Sequence, residues 1–184
     1  YLANKMSMPG VTPEMFDWWF AWHGLDSLRY KIWDREDHMY CQTRNPEQAR
    51  DPKLSYKEKY WNTRHDVIEA FGPEPKEVVI PFIPPQDMGF DPEKLKDFKG
   101  TIVAMAAEDN RTVACHFVQP VEGGIELYSR FWFGWHLKDG RPARFDDKVM
   151  PEQLPKALLL HNIKEFTNLA RLLPRIFPEE RDNF

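Results

Sequence analysis

The order of elements along this 184-residue chain predicts an α+β domain, an antiparallel sheet wrapped around a long C-terminal helix. Three observations carry that expectation. Short aromatic-rich segments come first, three consecutive strand-like runs follow between residues 101 and 137, and an amphipathic helical pattern over residues 151–173 comes last. A sheet and a helix that each have one apolar face bury them against each other, and such folds commonly enclose a ligand cavity.

Thr12-Pro13-Glu14 opens the first helix: Thr12 can cap it, Pro13 suits the first helical position and Glu14 favours the positive end. Residues 15–23 are aromatic nearly all round and stop at Gly24, so this helix must be buried on several sides or line a cavity. Ser27–Trp33 is apolar-rich and fits either a helix or a strand. Residues 44–59 are polar, contain Asn45-Pro46 and Asp51-Pro52, and read as a loop. Residues 65–71, stopped by Gly72-Pro73, fit a strand or a single helical turn, and Lys76–Ile83 is a β-branched strand ended by Pro84-Pro85. Asp91-Pro92-Glu93 begins a short helix that Gly100 ends.

A three-stranded meander is expected next, over Thr101–Ala107, residues 112–119 and residues 125–137, with turns at Asp109-Asn110 and Glu122-Gly123-Gly124. In its last strand Glu126, Tyr128, Arg130 and Trp132 share one face, opposite Ile125, Leu127, Phe131 and Phe133. The first face suits a polar–aromatic pocket lining, with a solvated outer face as the alternative. Residues 138–142 form a turn, and the terminal helix is expected to close at Pro174.

That helix holds the most informative feature. At about 100° per residue, Leu158, Leu159, Ile163, Phe166, Leu169, Ala170, Leu172 and Leu173 fill one apolar arc, opposite Lys164, Thr167 and Arg171. Glu165 projects inside the arc and His161 lies at its edge. A carboxylate placed there must be paired, protonated or bound to metal, because an unpaired buried charge is costly. His and Glu four residues apart on a helix can bind one cation together, or form a plain hydrogen-bonded pair.

Composition narrows the classes. An apolar fraction of 42% supports a substantial core, and a net charge of −4 with scattered basic residues gives no footprint for nucleic acid. Cys41 and Cys115 have no paired spacing, which argues against a disulfide framework and a thiolate-rich zinc site. No apolar run is long enough for a membrane span and no secretory signal begins the chain, so a cytoplasmic protein is expected. No glycine-rich phosphate loop or Gly-x-Ser-x-Gly elbow occurs. Six histidines remain, two of them in His-x-x-x-Glu pairs, His65/Glu69 and His161/Glu165. A site of nitrogen and oxygen ligands drawn from distant segments suits Zn²⁺ or another divalent first-row ion.

The run MPGVTPEMFDWWFAWH from Met8 to His23 closely resembles the 2,4-diacetylphloroglucinol hydrolase family. So do Arg29-Tyr30-Lys31-Ile32-Trp33, Glu36-Asp37-His38, Ser129-Arg130-Phe131-Trp132-Phe133-Gly134 and the terminal His161-x-x-x-Glu165, in the family's order across nearly the whole chain. The resemblance implies a Bet v 1-like helix-grip fold, in which a curved antiparallel sheet grips the last helix. It implies Zn²⁺ held by His38, Glu69, His161 and Glu165, with Glu58 or Glu36 as alternatives to Glu69. Tyr30 falls where the family has a tyrosine that hydrogen-bonds a substrate oxygen, and His116 and Arg130 match pocket-side positions. Trp18, Trp22 and Trp132 are candidates for an aromatic wall against a substrate ring, with core packing as their alternative role. Cys41 stands where some members place an amide.

The implied reaction hydrolyses the carbon–carbon bond between an acyl group and a polyhydroxylated aromatic ring, in the manner of a retro-Claisen cleavage. The partner is then a small aromatic ketone, with neither nucleic acid nor membrane involved. Two other readings stay open: a carrier of the same fold that binds a hydrophobic ligand without turnover, and a zinc hydrolase of another acylated phenol such as phloretin. Residues 1–184 are expected to form one catalytic domain without the family's additional N-terminal dimerisation domain, which leaves the oligomeric state open, a homodimer included.

Overall fold

A computed structural model describes residues 1–72, 74–107, 112–139, 141–144 and 153–184. The chain runs β1 (Leu2–Pro9), α1 (Pro13–Trp22), a 3-10 turn (His23–Leu25), α2 (Ser27–Trp33), β2 (His38–Thr43), α3 (Pro46–Arg50) and α4 (Tyr56–Tyr60). It continues with β3 (Arg64–Glu69), β4 (Lys76–Ile83), a second 3-10 turn (Pro85–Met88), α5 (Pro92–Lys96), β5 (Thr101–Ala107), β6 (Thr112–Val121) and β7 (Gly124–Phe133). A hairpin of β8 (Trp135–Lys138) and β9 (Arg141–Arg144) precedes the terminal helix α6 (Gln153–Glu180).

Seven strands make one antiparallel sheet in the order β1-β7-β6-β5-β4-β3-β2. The chain starts at one edge, crosses through α1 and α2, and resumes at the other edge, so those helices lie between the two ends of the sheet. The concave face is filled by α1 and α6. Phe166 on α6 is fully buried and meets Phe16 of α1, Trp33 of α2 and His116 of β6 at ring separations of 5.8, 5.4 and 4.8 Å. A smaller apolar cluster covers the other face, where Met88, Ile102, Val113 and Cys115 gather Trp132 and Trp135. The long final helix held by an antiparallel sheet is the helix-grip arrangement.

Thr12 caps α1 by accepting from the Met15 amide, and Pro13 occupies the first turn, as the sequence predicts. Elsewhere tertiary contacts override local signals. Leu2–Pro9, which has no β-branched residue, becomes an edge strand because it registers along β7 over its full length. The polar stretch 44–59 holds α3 and α4, the latter closed by a Ser55–Glu58 capping box. β7 stops at Phe133 because Gly134, at φ 74°, turns the chain into β8. Pro174 does not end α6, which runs through it and Pro178 to Glu180. A proline removes one helical hydrogen bond, but the burial of Leu173 and Phe177 on either side keeps that turn docked. Ile163, expected in the apolar arc, is exposed, and the buried stripe runs through His161, Asn162, Glu165, Phe166, Leu169, Leu173 and Phe177. The expected Asp109-Asn110 turn and the expected start of the last helix at residue 151 lie outside the described residues, as does Gly140 within the 138–142 turn.

Candidate metal centre and its cavity

Register and a bulge bring the first pair of candidate ligands together. His38 on β2 and Glu69 on β3 are direct cross-strand partners, and the pairing shifts between His38 and Tyr40. This irregularity matters because side chains three residues apart on a regular strand point to opposite faces. Here Met39 and Tyr40 both face outward, so His38 and Cys41 both point into the core. On β3, His65, Val67 and Glu69 follow the ordinary period of two and share the inner face.

Helix α6 supplies the other pair. His161 Nε2 lies 3.9 Å from Glu69 Oε2 and 3.9 Å from Glu165 Oε2, and His38 Nε2 lies 3.7 Å from Glu165 Oε2. Ligand atoms of His38, Glu69 and His161 all fall within 4.8 Å of one another. His38 Nε2 is buried and has no hydrogen-bond partner. The other ring nitrogens are engaged: Nδ1 of His38 is 3.1 Å from the Tyr30 carbonyl, and Nδ1 of His161 is 3.3 Å from Asp37 Oδ2. That arrangement turns both Nε2 atoms toward the carboxylates and fixes the rings from behind, as in histidine metal sites. An orphaned buried nitrogen facing two carboxylates and a second imidazole fits a divalent cation.

Electrostatics agree. Burial, reinforced by Glu69, raises the Glu165 carboxyl to about 8, although His161 and the Asn162 amide pull it down. Burial and the neighbouring His161 lower His38 to about 3, so its Nε2 carries a lone pair. Burial opposes charge on His161, but Glu165, Glu69 and Asp37 together raise its pKa above the ordinary value. A cation at the common centre would hold both carboxylates ionised and displace the proton from His161 Nε2.

Around the cluster, Tyr30 Oη donates to Glu69 Oε2 at 2.7 Å, Asn162 Nδ2 donates to Glu165 Oε1 at 3.1 Å, and Trp33 Nε1 donates to the Glu165 carbonyl at 2.8 Å. Asp37 also accepts from Lys164 Nζ at 2.9 Å. Lys164 reaches Asp34 and Glu36 as well, tying α6 to the turn before β2.

The cluster opens into an inner cavity of about 80 Å³ lined by Tyr30, Glu69, His161, Glu165, His116 and Phe131, among others. Glu69, Ile80, Met105, Phe131 and Leu158 also line an outer apolar chamber of about 300 Å³. His116 Nδ1 lies 2.9 Å from Ser129 Oγ, and burial among Phe16, Phe20 and Phe166 lowers its pKa to about 3.

Four sequence-derived candidates fall elsewhere in the described structure. Arg130 and Trp132 lie on the outer face of β7: Arg130 Nη1 donates to the carbonyls of Asn4 and Ser129, and Trp132 packs in the outer cluster. Their strand alternates with inward Ser129 and Phe131, so the pocket face is the one opposite to the expected one. Trp18 and Trp22 stack on each other and do not line the cavity; Trp18 abuts Phe177, and Trp22 Nε1 donates to the Asn183 carbonyl. They anchor α1 to the end of α6. Glu58 serves the α4 capping box and Glu36 pairs with Lys164, so neither replaces Glu69. Trp33, Phe20, Phe131 and Asp37 reach the site without having been singled out; for Asp37 the one available signal was its place beside His38.

An α-helix gripped by a seven-stranded sheet, with two imidazoles and two carboxylates meeting above a cavity, defines a helix-grip protein with a candidate metal centre. The chain belongs to the family described as DAPG hydrolase PhiG domain, matched over residues 1–178. It is 37% identical to phloretin hydrolase of Eubacterium ramulus, over 100% of this chain and 69% of that protein. It is 28% identical to 2,4-diacetylphloroglucinol hydrolase of a Pseudomonas species, over 97% of this chain and 67% of that protein. Among solved structures it resembles the KanY protein (TM-score 0.53, 13% identity, 93% of this chain and 94% of that one). It equally resembles Ara h 8.0201 (TM-score 0.53, 7% identity, 94% and 95%), a Bet v 1-like likeness that speaks to fold alone. Among the described residues no helix is long and apolar enough to cross a membrane.

Proposed function

We propose that this protein is a zinc-dependent hydrolase that cleaves the bond between an acyl carbon and the ring carbon of an acylated polyhydroxyphenol. The observation that carries the reading is the buried, unpartnered His38 Nε2, set against Glu165 and sharing a centre with His161 and Glu69 at the cavity wall. A carrier has no use for such a costly convergence of charges. The names of the two relatives support the same chemistry.

Overall, water adds to the acyl carbon, the ring carbon takes a proton, and a carboxylic acid and the deacylated phenol separate. A hydroxyl beside the acyl group makes this feasible, because its keto tautomer turns the substrate into a β-diketone whose ring carbon is a stabilised leaving group. Zn²⁺, when bound by the four ligands, supplies Lewis acidity and lowers the pKa of water. Tyr30 holds Glu69 in place and can hand its hydroxyl to a substrate oxygen. His116, on the cavity wall with Ser129 fixing its Nδ1, is placed to take the proton that the attacking water gives up and pass it to the ring carbon. The outer chamber is apolar and shares part of its wall with the inner cavity, which suits an acyl group larger than acetyl, such as the arylpropanoyl group of phloretin.

Metal analysis of purified protein should return one zinc per chain, and His161→Ala should lose both the metal and the release of acid from acylated phloroglucinols. Full activity in a metal-free preparation would overturn the reading.

A further inference from the structure

Two fully buried imidazoles line the cavity and play no part in the chemistry above: His23, just after α1, and His65 on β3. They lie beyond Tyr30 as seen from the ligand cluster. The Tyr30 ring stacks on His38 at 3.8 Å on one side and on His23 at 5.7 Å on the other, and His23 meets His65 edge-on at 5.2 Å. The rings form a ladder from the cation end of the cavity to its far end.

His23 has a defined tautomer. Its Nδ1 lies 2.7 Å from the Trp19 carbonyl, an acceptor, so Nδ1 carries the proton and Nε2 offers a lone pair. Among the described residues no hydrogen bond reaches Nε2 of either ring; His65 Nδ1 has only a long contact, 3.9 Å, to Cys41 Sγ. Burial holds both imidazoles in the neutral form. Both are held rigidly: His65 packs against Phe82 at 4.8 Å and lies so close over Gly24 that a Cβ there would overlap its ring. Both rings line the cavity, where a ligand can supply the donor that the protein does not. In an aromatic cavity whose other end holds the reacting acyl group, the donor of matching shape is a phenolic hydroxyl across the ring from that group.

We propose that His23 and His65 form the ring-recognition end of the cavity, with His23 Nε2 accepting a hydrogen bond from the substrate hydroxyl opposite the acyl group. The assignment rests on the acylphenol reading above. His23 and His65 are specificity-determining residues on this view, and act by favouring rings whose hydroxyl reaches that acceptor.

The test uses zinc-loaded full-length protein and two probes, phloroglucinol and resorcinol, which differ by one ring hydroxyl. Wild type should bind phloroglucinol about tenfold more tightly in calorimetry, the usual scale for a buried acceptor left without its donor. His23→Phe keeps the ring stack and removes the acceptor. It should bring the two affinities together while leaving resorcinol binding unchanged, and His23→Gln should restore part of the preference. In turnover, kcat/KM should fall in His23→Phe for an acylphenol bearing the opposite hydroxyl and hold for one lacking it. Equal losses on both probes would reduce His23 to a packing residue and overturn the proposal, as would an unchanged preference. A second zinc equivalent that Cys41→Ser abolishes would also overturn it, since His23, Cys41 and His65 would then be holding a metal. If wild type releases no acid from any acylated phenol, the broader reading fails. If it releases acid yet binds phloroglucinol and resorcinol equally, this assignment alone fails.

Discussion

The Tyr30 ring lies parallel to the His38 imidazole, 3.8 Å away with an interplanar angle of 1°, while its hydroxyl donates to Glu69 at 2.7 Å. One side chain thus braces two proposed ligands from different strands. Tyr30→Phe preserves the stack and deletes the hydrogen bond. Divalent-metal affinity should fall by about 10- to 100-fold, the cost of losing a partner behind a ligand. Chelator competition measures this, and an unchanged affinity would remove Tyr30 from the ligand scaffold.

Asp37 stands behind His161, with Oδ2 3.3 Å from Nδ1 and 2.9 Å from Lys164 Nζ. Asp37→Asn keeps the size and loses the charge that orients the imidazole. Metal binding should again weaken by roughly 10- to 100-fold, with Lys164→Met giving a smaller loss because Lys164 does not itself touch the imidazole. The ranking of the two variants in a zinc titration decides the point.

Removing the cation should cost fold stability as well as activity. Glu165 and Glu69 would then face each other across a buried centre, and the folded state would lose the binding energy of the ion. Saturating zinc adds about 4 kcal/mol at a thousandfold excess over Kd, which corresponds to a drop of about 10 °C in Tm on chelation. Scanning calorimetry with and without chelator reads it directly; matching curves would mean that no ion stabilises this fold.

Asp17 gives a pH dependence independent of the metal. Burial lifts its carboxyl to about 6 from an ordinary 3.8, against the pull of Lys57 and of hydrogen bonds from Thr101 and Tyr60. The folded state therefore favours the proton: this stability is fully present below pH 3.8 and is lost as the pH rises through about 6. Asp17→Asn should flatten the wild-type decline, by up to about 3 kcal/mol. Urea midpoints at acid and neutral pH, compared between the two proteins, test it; identical pH profiles would refute it.

Much of the site was legible along the chain because its carriers are local. A carboxylate inside an apolar helical stripe marks Glu165, and the four-residue step to His161 follows from helix geometry alone. The meander strands showed their β-branched alternation, and Thr12-Pro13 announced α1. The motifs that resemble the hydrolase family pointed to His38 and Glu69, although strand periodicity could not have shown that they face each other.

What only the tertiary structure decided depends on register and on sheet face. A one-residue bulge at Met39/Tyr40 points His38 and Cys41 inward together, and no local propensity encodes it. Arg130 and Trp132 share a face in the sequence, but which face meets α6 is set by the packing of the whole sheet, and it is the other one. The same holds for Trp18 and Trp22, whose neighbours come from residues 177 and 183, at the far end of the chain. Local sequence determined which segments are helices and strands wherever propensity and periodicity agreed. Contacts between residues distant in sequence determined which side chains share the cavity, because burial depends on what the rest of the chain places opposite each face.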